Sequence, residues 1–589
     1  MCGIAGVMMG KGRPVEPGLL ERLAACILHR GPDGTGIHRD GAVGMVSTRL
    51  AIVDLRTGDQ PIYDSRRGAI VANGEIYNNP ELRARLTDVP FQTRSDCEPP
   101  LHLYRRLGLD FTGELRGMYA LAIHDPEGGR LVLARDPFGI KPLYYVERPD
   151  GFAFASEPQA LLAAGLAERR LNPRARAELL QLKFTTGRET IFAAIHRVLP
   201  GETIVVADGR IVERRRRPAI PQGGPRRQDH GEAMRALDEV LSGSVEAHLR
   251  ADVPYGLYLS GGIDSSVLAG LMTRFSANPV VAFTVGFPGS KAADETEKAK
   301  RVARAVGADH HVLELTERDF WTLAPRAAEA VDDPTTDAAI LPTFALGEAT
   351  KGRLKVVLSG EGADEIFGGY ARYRRARWLW GLLARKARLS GEFDELAAMR
   401  GSLAGWRDNL ARVEADESLP GRSAVQRLQA VDCADWLPND LLIKLDRCLM
   451  ANSVEGRTPF LDPLVADFAF RLPDALKVTN RFGKKLLRDW LARNVPASEP
   501  YSRKTGFKPP VGEWIAARKA AIVQFVAAQP GIAEIATDED IGKVFAAPER
   551  NSQAAWSLLF YALWHSRHIL GVPPEGTVED VLAAARRAG

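Results

Sequence analysis

The sequence predicts an α+β domain of antiparallel sheets, then an α/β domain on a parallel sheet, then a mostly helical end, and three observations carry that expectation. Residues 1 to 210 alternate short apolar runs with tight turns. From residue 232 short apolar strands are separated by long helical stretches, the pattern of a parallel sheet covered by helices. Beyond residue 370 the strand-like runs stop and helical periodicity takes over.

In the first part, Leu19, Leu20, Leu23 and Ile27 share one face of a helix over 19–28, and a second helix is expected over 96–107. "MYALAIH" and "RLVLAR" flank the turn "DPEGG" as a hairpin, and "LYYV" and "FAFAS" flank "ERPDG" in the same way. Residues 213–231, "ERRRRPAIPQGGPRRQDHG", have no hydrophobic period and read as a solvated linker between a domain at 1–212 and one at 232–589. In the second part "YGLYLS", "VVAFTVGF", "HHVLEL" and "LKVVLS" read as parallel strands, whose carboxyl ends are where such sheets bind ligands. A chain of 589 residues exceeds one ordinary core.

Lys+Arg 78 against Asp+Glu 74 leaves a formal charge of +4, so no global field draws the protein to nucleic acid or an anionic membrane. Cys2, Cys26, Cys97, Cys433 and Cys448 form no CxxC pair, and HExxH is absent, which argues against a zinc site or a disulfide framework. With no signal-peptide pattern and no apolar run of 18 residues, a reducing, cytoplasmic location is expected.

The chain begins "MCGIAGV". A thiol is a good nucleophile once a base takes its proton, and the α-amine of Cys2, exposed if Met1 is removed, is such a base with an ordinary pKa of ~7.7–8. "ANGEIYN" places the Asn73 amide and the Gly74 N–H where an oxyanion can develop, "RLAIVD" supplies Arg49 for a ligand carboxylate, and "RSDCE" supplies Asp96 for a ligand ammonium. Taken singly, Asn73–Gly74 also reads as a hairpin turn, Arg49 as a surface ion pair and Asp96 as a helix cap.

Together with "HRGPDGTG", "RDPFGIKPLYY" and "FASE", these motifs cover residues 1–160 in order and resemble the glutaminase domain of class II amidotransferases. The resemblance implies an N-terminal-nucleophile hydrolase αββα sandwich in which Cys2 attacks the glutamine side-chain amide and releases ammonia. It further implies Asn73 and Gly74 as oxyanion hole and Arg49, Glu75 and Asp96 as glutamine ligands. Arg30 is read as structural, Cys26 as core packing, and Cys97 has no assigned role.

"SGGIDSS" (260–266) runs from a strand into a helix, so its N–H groups and hydroxyls face an anion at the positive helix end. Asp264 in such a loop makes sense when a metal bridges it to phosphate. "VVLSGEGADEIFGGY" supplies a second loop, with Ser359, Gly360, Glu361 and Asp364. GxxxxGK[ST] and GxGxxG are absent, which disfavours γ-phosphoryl transfer and dinucleotide chemistry.

SGGxDS resembles the pyrophosphate loop of N-type ATP pyrophosphatases, and the whole chain resembles the glutamine-hydrolysing asparagine synthetase family through these loops, "LIKLDRCLMANSVEGRTPFLD" and "GKKLLRDWL". The resemblance implies an ATP pyrophosphatase-like domain taking ATP, Mg²⁺ and aspartate or another carboxylate. Asp264 and Asp364 are then the Mg²⁺-pyrophosphate ligands, Ser260, Gly262 and Ser265 the phosphate cradle, Gly261, Ser359 and Gly360 further ATP-binding residues, and Val285 and Gly286 the adenine site. Glu361 is implied in proton transfer as ammonia attacks, Lys484 (or the adjacent Lys485) at the adenylate, and Arg457 in holding the domain together. A tunnel between sites and a homodimer are further implications. "PTTDAAILPT" is expected at the acceptor pocket, and residues 516–589 carry no expected role. Leu449 replaces a small polar residue of the family, and "SRKTGFKPPVGEW" resembles a branch that includes enzymes amidating other carboxylates. Retention of Cys2, Asp264 and Asp364 argues against a non-catalytic sensor, and the near-zero charge argues against a nucleic-acid module.

Overall fold

Alternation of side chains along the strands builds the N-terminal half. The structure, a computed structural model, describes residues 2–291, 295–378, 390–394, 396, 403, 405–502 and 508–588. Its strands are β1 (Cys2–Met9), β2 (Gly34–Asp40), β3 (Val43–Arg49), β4 (Ile62–Tyr63), β5 (Ala69–Ile76), β6 (Gly117–Asp125), β7 (Arg130–Arg135), β8 (Tyr144–Arg148) and β9 (Gly151–Ala155). They continue with β10 (His196–Arg197), β11 (Glu202–Ala207), β12 (Arg210–Arg216), β13 (Tyr255–Tyr258), β14 (Val281–Gly286), β15 (Asp309–Glu314), β16 (Val356–Leu358) and β17 (Glu455–Arg457).

Two six-stranded antiparallel sheets, β10-β8-β9-β1-β3-β2 and β12-β11-β7-β6-β5-β4, stack face to face. Ile4 and Met8 of β1, Phe152 and Phe154 of β9, Ala120 and Ala122 of β6 and Leu131 and Leu133 of β7 fill the space between them. Each such side chain, fully buried, contributes about 1.5–3 kcal/mol for the larger aliphatics and Phe. The alternate residues face outward: Ala5 and Val7 meet the helix Leu19–Ile27, and Leu121 and Ile123 meet the helix Pro99–Leu107. The layers are therefore helix, sheet, sheet, helix, and both expected hairpins are present as β6–β7 and β8–β9.

The third sheet is parallel, in the order β15-β14-β13-β16-β17, with helices such as Ile263–Phe275 packed on it. β17 lies beyond residue 370, where the sequence shows only helical texture, because three residues are too short to display an alternating pattern. The arginine run also departs from expectation: Glu213 to Arg216 belong to β12, paired with Glu202–Val205 of β11, so the strand overruns the linker's expected start. β12 is a sheet edge, and charged side chains are tolerated, even favoured, there.

Residues 511–588 form six helices joined by short links, and the helix Ser552–His568 is almost wholly buried. Ser557 Oγ lies 2.9 Å from Thr336 Oγ1, Gln553 Nε2 donates to Thr336 O at 2.8 Å and Trp564 Nε1 to Asp332 O at 3.3 Å. The C-terminal helices thus prop the segment 332–336, a role the sequence does not reveal. Arg503 to Phe507 of "SRKTGFKPPVGEW", and Met1, lie outside the described residues.

Buried ion pairs join the N-terminal sandwich to the rest. Arg30 forks onto Asp446 at 2.8 and 3.0 Å and reaches Glu157 at 2.7 Å, while Arg447 donates to Asp332 at 2.8 Å and to Ser156 O at 3.2 Å.

Candidate active sites and their connection

Cys2 starts β1 opposite Arg49 of β3, so the sheet register itself sets the thiol beside that guanidinium. The thiol is buried, and burial pushes its pKa up, opposed by the amino-terminal charge and by Arg49. Asn73 Oδ1 accepts a hydrogen bond from Cys2 N at 3.3 Å. That contact orients the amide, and its Nδ2 is buried without a hydrogen-bond partner among the described residues, a donor kept for something absent from the protein itself. Asn73 and Gly74 lie inside β5 opposite Ala120 and Tyr119, which rules out the hairpin-turn reading. A Cβ on Gly74 would stand 2.3 Å from Met118 O, so only glycine fits that strand crossing.

Glu75 and Asp96 are both buried, and burial raises both carboxyl pKa values, with Asp96 adding to the rise at Glu75. A positive charge nearby relieves such destabilisation, as the Arg457 guanidinium does at Glu75. Asp96 Oδ2 also accepts from Ile76 N at 2.7 Å, and Glu75 Oε2 from Arg457 Nη2 at 3.0 Å. Arg49 donates to Asp59 at 2.8 Å and to Val53 O at 3.3 Å, which tethers it to the loop after β3. Gln60 Nε2, 3.9 Å from Cys2 Sγ, and Arg30 Nε, which donates to Cys2 O at 3.3 Å, are neighbours of the nucleophile that no sequence signal marks as such.

The second site lies at the carboxyl ends of β13 and β16. Ser260 Oγ and Ser265 Oγ are 3.1 Å apart, and Gly262 N donates to Ser260 Oγ at 3.2 Å. Asp264 sits in the first turn of the helix Ile263–Phe275. A Cβ on Gly360 would stand 2.7 Å from Asp264 Cβ, so the two acidic loops touch through a glycine. Lys484 Nζ lies 2.6 Å from Asp264 Oδ2 and 2.7 Å from Asp364 Oδ1. Lys485 instead pairs with Asp489 along its own helix.

A cavity of about 360 Å³ opens here, lined by Ser260, Gly261, Gly262, Asp264, Asp364 and Lys484. Lys298 and Arg488 also line it, and sequence reading missed both: each is one basic residue among many on a helix. Val285 and Gly286 end β14 and do not line this cavity; Val285 is buried in the core. Ser359 and Gly360 stand behind the lining, against β17 and Asp264.

Glu361 faces another direction. Its Oε1 is 3.7 Å from Lys444 Nζ, which is 2.9 Å from Asp337 Oδ2 in the "PTTDAAILPT" segment, and burial raises the Glu361 carboxyl pKa. Lys444 belongs to the helix Leu442–Met450, the same helix whose Asp446 holds Arg30 against Cys2. One helix therefore runs from the thiol centre to the Glu361–Asp337 cluster, whose Glu361 lies in the same loop as Asp364.

A buried thiol with an orphaned amide beside it, and an anion-binding cleft with paired carboxylates, define a two-centre enzyme of the amide-transfer class. Residues 236–566 match the family described as asparagine synthase, and residues 1–216 match the glutamine amidotransferase domain. The chain is 31% identical to asparagine synthetase [glutamine-hydrolyzing] 1 of Bacillus subtilis, covering 97% of each chain. It is 31% identical to asparagine synthetase B [glutamine-hydrolyzing] of Escherichia coli over 90% of this chain and 86% of that one. Amidase chry2 of Gibberella zeae is 32% identical over 64% of this chain and 60% of its own. The chain belongs to the glutamine-hydrolysing asparagine synthetase family of ATP-dependent carbon–nitrogen ligases.

Proposed function

We propose that the protein makes asparagine from aspartate, glutamine and ATP, and the observation that carries this reading is the helix Leu442–Met450, which joins the thiol centre through Asp446 to Glu361 of the Asp364 loop through Lys444. The Cys2 sulfur attacks the glutamine side-chain carbonyl carbon once its proton has passed to the α-amine freed by Met1 removal. Asn73 Nδ2 and the Gly74 N–H stabilise the oxyanion, the carbon–nitrogen bond breaks, and ammonia leaves with the relayed proton. Water then cleaves the γ-glutamyl thioester to glutamate. Glu75 and Asp96 hold the ammonium of glutamine, and Arg49 its α-carboxylate.

At the second centre an aspartate carboxylate oxygen attacks the α-phosphorus of ATP, and the bond to pyrophosphate breaks. Ser260, Gly262 and Ser265 cradle the leaving group, with Lys484 beside it. Asp264 and Asp364 offer oxygen donors of the kind Mg²⁺ takes together with substrate phosphates. When bound there, Mg²⁺ supplies charge neutralisation of the leaving pyrophosphate. Ammonia then attacks the acyl carbon, Glu361 takes its proton, and AMP leaves.

A second reading keeps both half-reactions and changes the acceptor. Aspartate brings a second carboxylate that needs a cation, yet Lys444, the cation beside Glu361, is already held by Asp337. Pyrophosphate release with ATP, Mg²⁺ and glutamine, compared across aspartate, glutamate and no acceptor with asparagine quantified, separates the two. Aspartate-dependent pyrophosphate matched by asparagine is expected. Glutaminase activity with no response to aspartate overturns the first reading in favour of another carboxylate.

A further inference from the structure

Arg457 is fully buried at the end of β17, and its two ends belong to different centres. Its Nη2 donates to Glu75 Oε2 at 3.0 Å, its Nε to Glu455 Oε1 at 2.5 Å, and its Nη1 to His248 O at 2.7 Å and Arg250 O at 2.8 Å. Its backbone oxygen accepts from Ser359 N at 2.8 Å. Ser359 opens the loop that continues through Gly360, packed on Asp264, to Glu361 and Asp364. The expectation that Arg457 only holds its own domain together is thus too narrow: it spans from the thiol centre to the phosphate loop.

We propose that Arg457 is the positioning residue through which occupancy of the Glu75–Asp96 subsite is felt at the Ser359–Asp364 loop, a proposal that rests on Glu75 being a glutamine ligand. The guanidinium is shared between two carboxylates, Glu75 across the domain boundary and Glu455 on its own strand. A ligand ammonium arriving between Glu75 and Asp96 competes with Arg457 for the Glu75 charge. Out of water such competition is strong, so Arg457 rebalances toward Glu455. Among the described residues β17 is a three-residue edge strand paired with β16 alone, and its movement carries the hydrogen bond to Ser359 with it. Arginine is required because its fork addresses both carboxylates and two backbone carbonyls at once, which an ammonium does not.

The test is an equilibrium one, on full-length Cys2→Ala protein, which binds glutamine without consuming it. Titration calorimetry gives the affinity for ATP with Mg²⁺, with and without saturating glutamine, and the affinity for glutamine with and without ATP. Linkage requires both affinities to change by the same factor, about fivefold or more. In Cys2→Ala/Arg457→Lys the factor is expected to fall toward one, with affinity for ATP alone retained. If that variant no longer binds ATP, Cys2→Ala/Glu455→Gln, which removes the competing carboxylate charge, carries the same expectation. A parent that binds both ligands without linkage, or a variant with linkage intact, overturns the proposal. A parent that binds neither ligand overturns the functional reading on which it stands.

Discussion

Replacing Gly360 by alanine isolates the phosphate centre from the thiol centre with one methyl group. The added Cβ would stand 2.7 Å from Asp264 Cβ. Carbon atoms settle at 3.5 Å or more, so one of the two loops must retreat by about 0.8 Å. Asp264 reaches Lys484 at 2.6 Å, and a retreat of that size breaks the contact or drags Lys484 off Asp364. Misplacing reacting groups by about 1 Å costs on the order of 100-fold in rate, or about 2.7 kcal/mol of transition-state stabilisation. Pyrophosphate release driven by ammonium chloride should therefore fall by about two orders of magnitude, while glutamate release at Cys2 stays within about twofold of the parent. A Gly360→Ala protein with unchanged ammonia-dependent turnover would refute the argument that the two acidic loops must touch.

Lys484→Met should remove ammonia-dependent synthesis by about 100-fold or more, whereas Lys485→Met, which loses only a pair on its own helix, should cost less than about threefold; equal losses would show that both lysines serve the site. Asn73→Ala should lower kcat for glutamine hydrolysis by about 10²–10³ with a smaller change in KM, the signature of a lost oxyanion donor, read in a glutamate-release assay. Glu75 and Asp96 bind an ammonium only when ionised, and both are held above the ordinary carboxylate range by burial. As pH falls they therefore take up protons before exposed carboxylates do, and KM for glutamine should rise on acidification from neutral pH; a KM flat down to about pH 4.5 would contradict that assignment.

What the sequence disclosed was local. The hairpins, the Gly-rich loops and the helix after Ser260 are specified by residues within a few positions of one another, and each stands where the pattern places it. What it concealed was carried by distance or by brevity. Arg457 and Glu75 are 382 positions apart, Arg30 and Asp446 are 416 apart, and no spacing rule links them. β17 has three residues and therefore no period to detect. Four consecutive arginines read as solvent-facing chain, yet Arg214 reaches back to Glu202 at 3.2 Å and to the Tyr145 hydroxyl at 2.9 Å, which fastens the edge strand. Residues 552–568 fall in the stretch whose texture is expected to be mostly helical, but only the fold shows that a helix there supports Asp332 and Thr336.

The Arg30–Asp446 fork has a consequence for dividing the chain. Cutting within residues 217–229, where no strand or helix is broken, leaves Arg30 and Glu157 on one fragment and Asp332, Asp446 and Arg447 on the other. Each fragment would then display, in water, charges whose partners had stayed behind, on a face shaped only for the missing piece. Mixed together, the fragments carry complementary addresses and should reassemble as a non-covalent pair rather than persist as two independent proteins, with an affinity that declines as salt screens the charges.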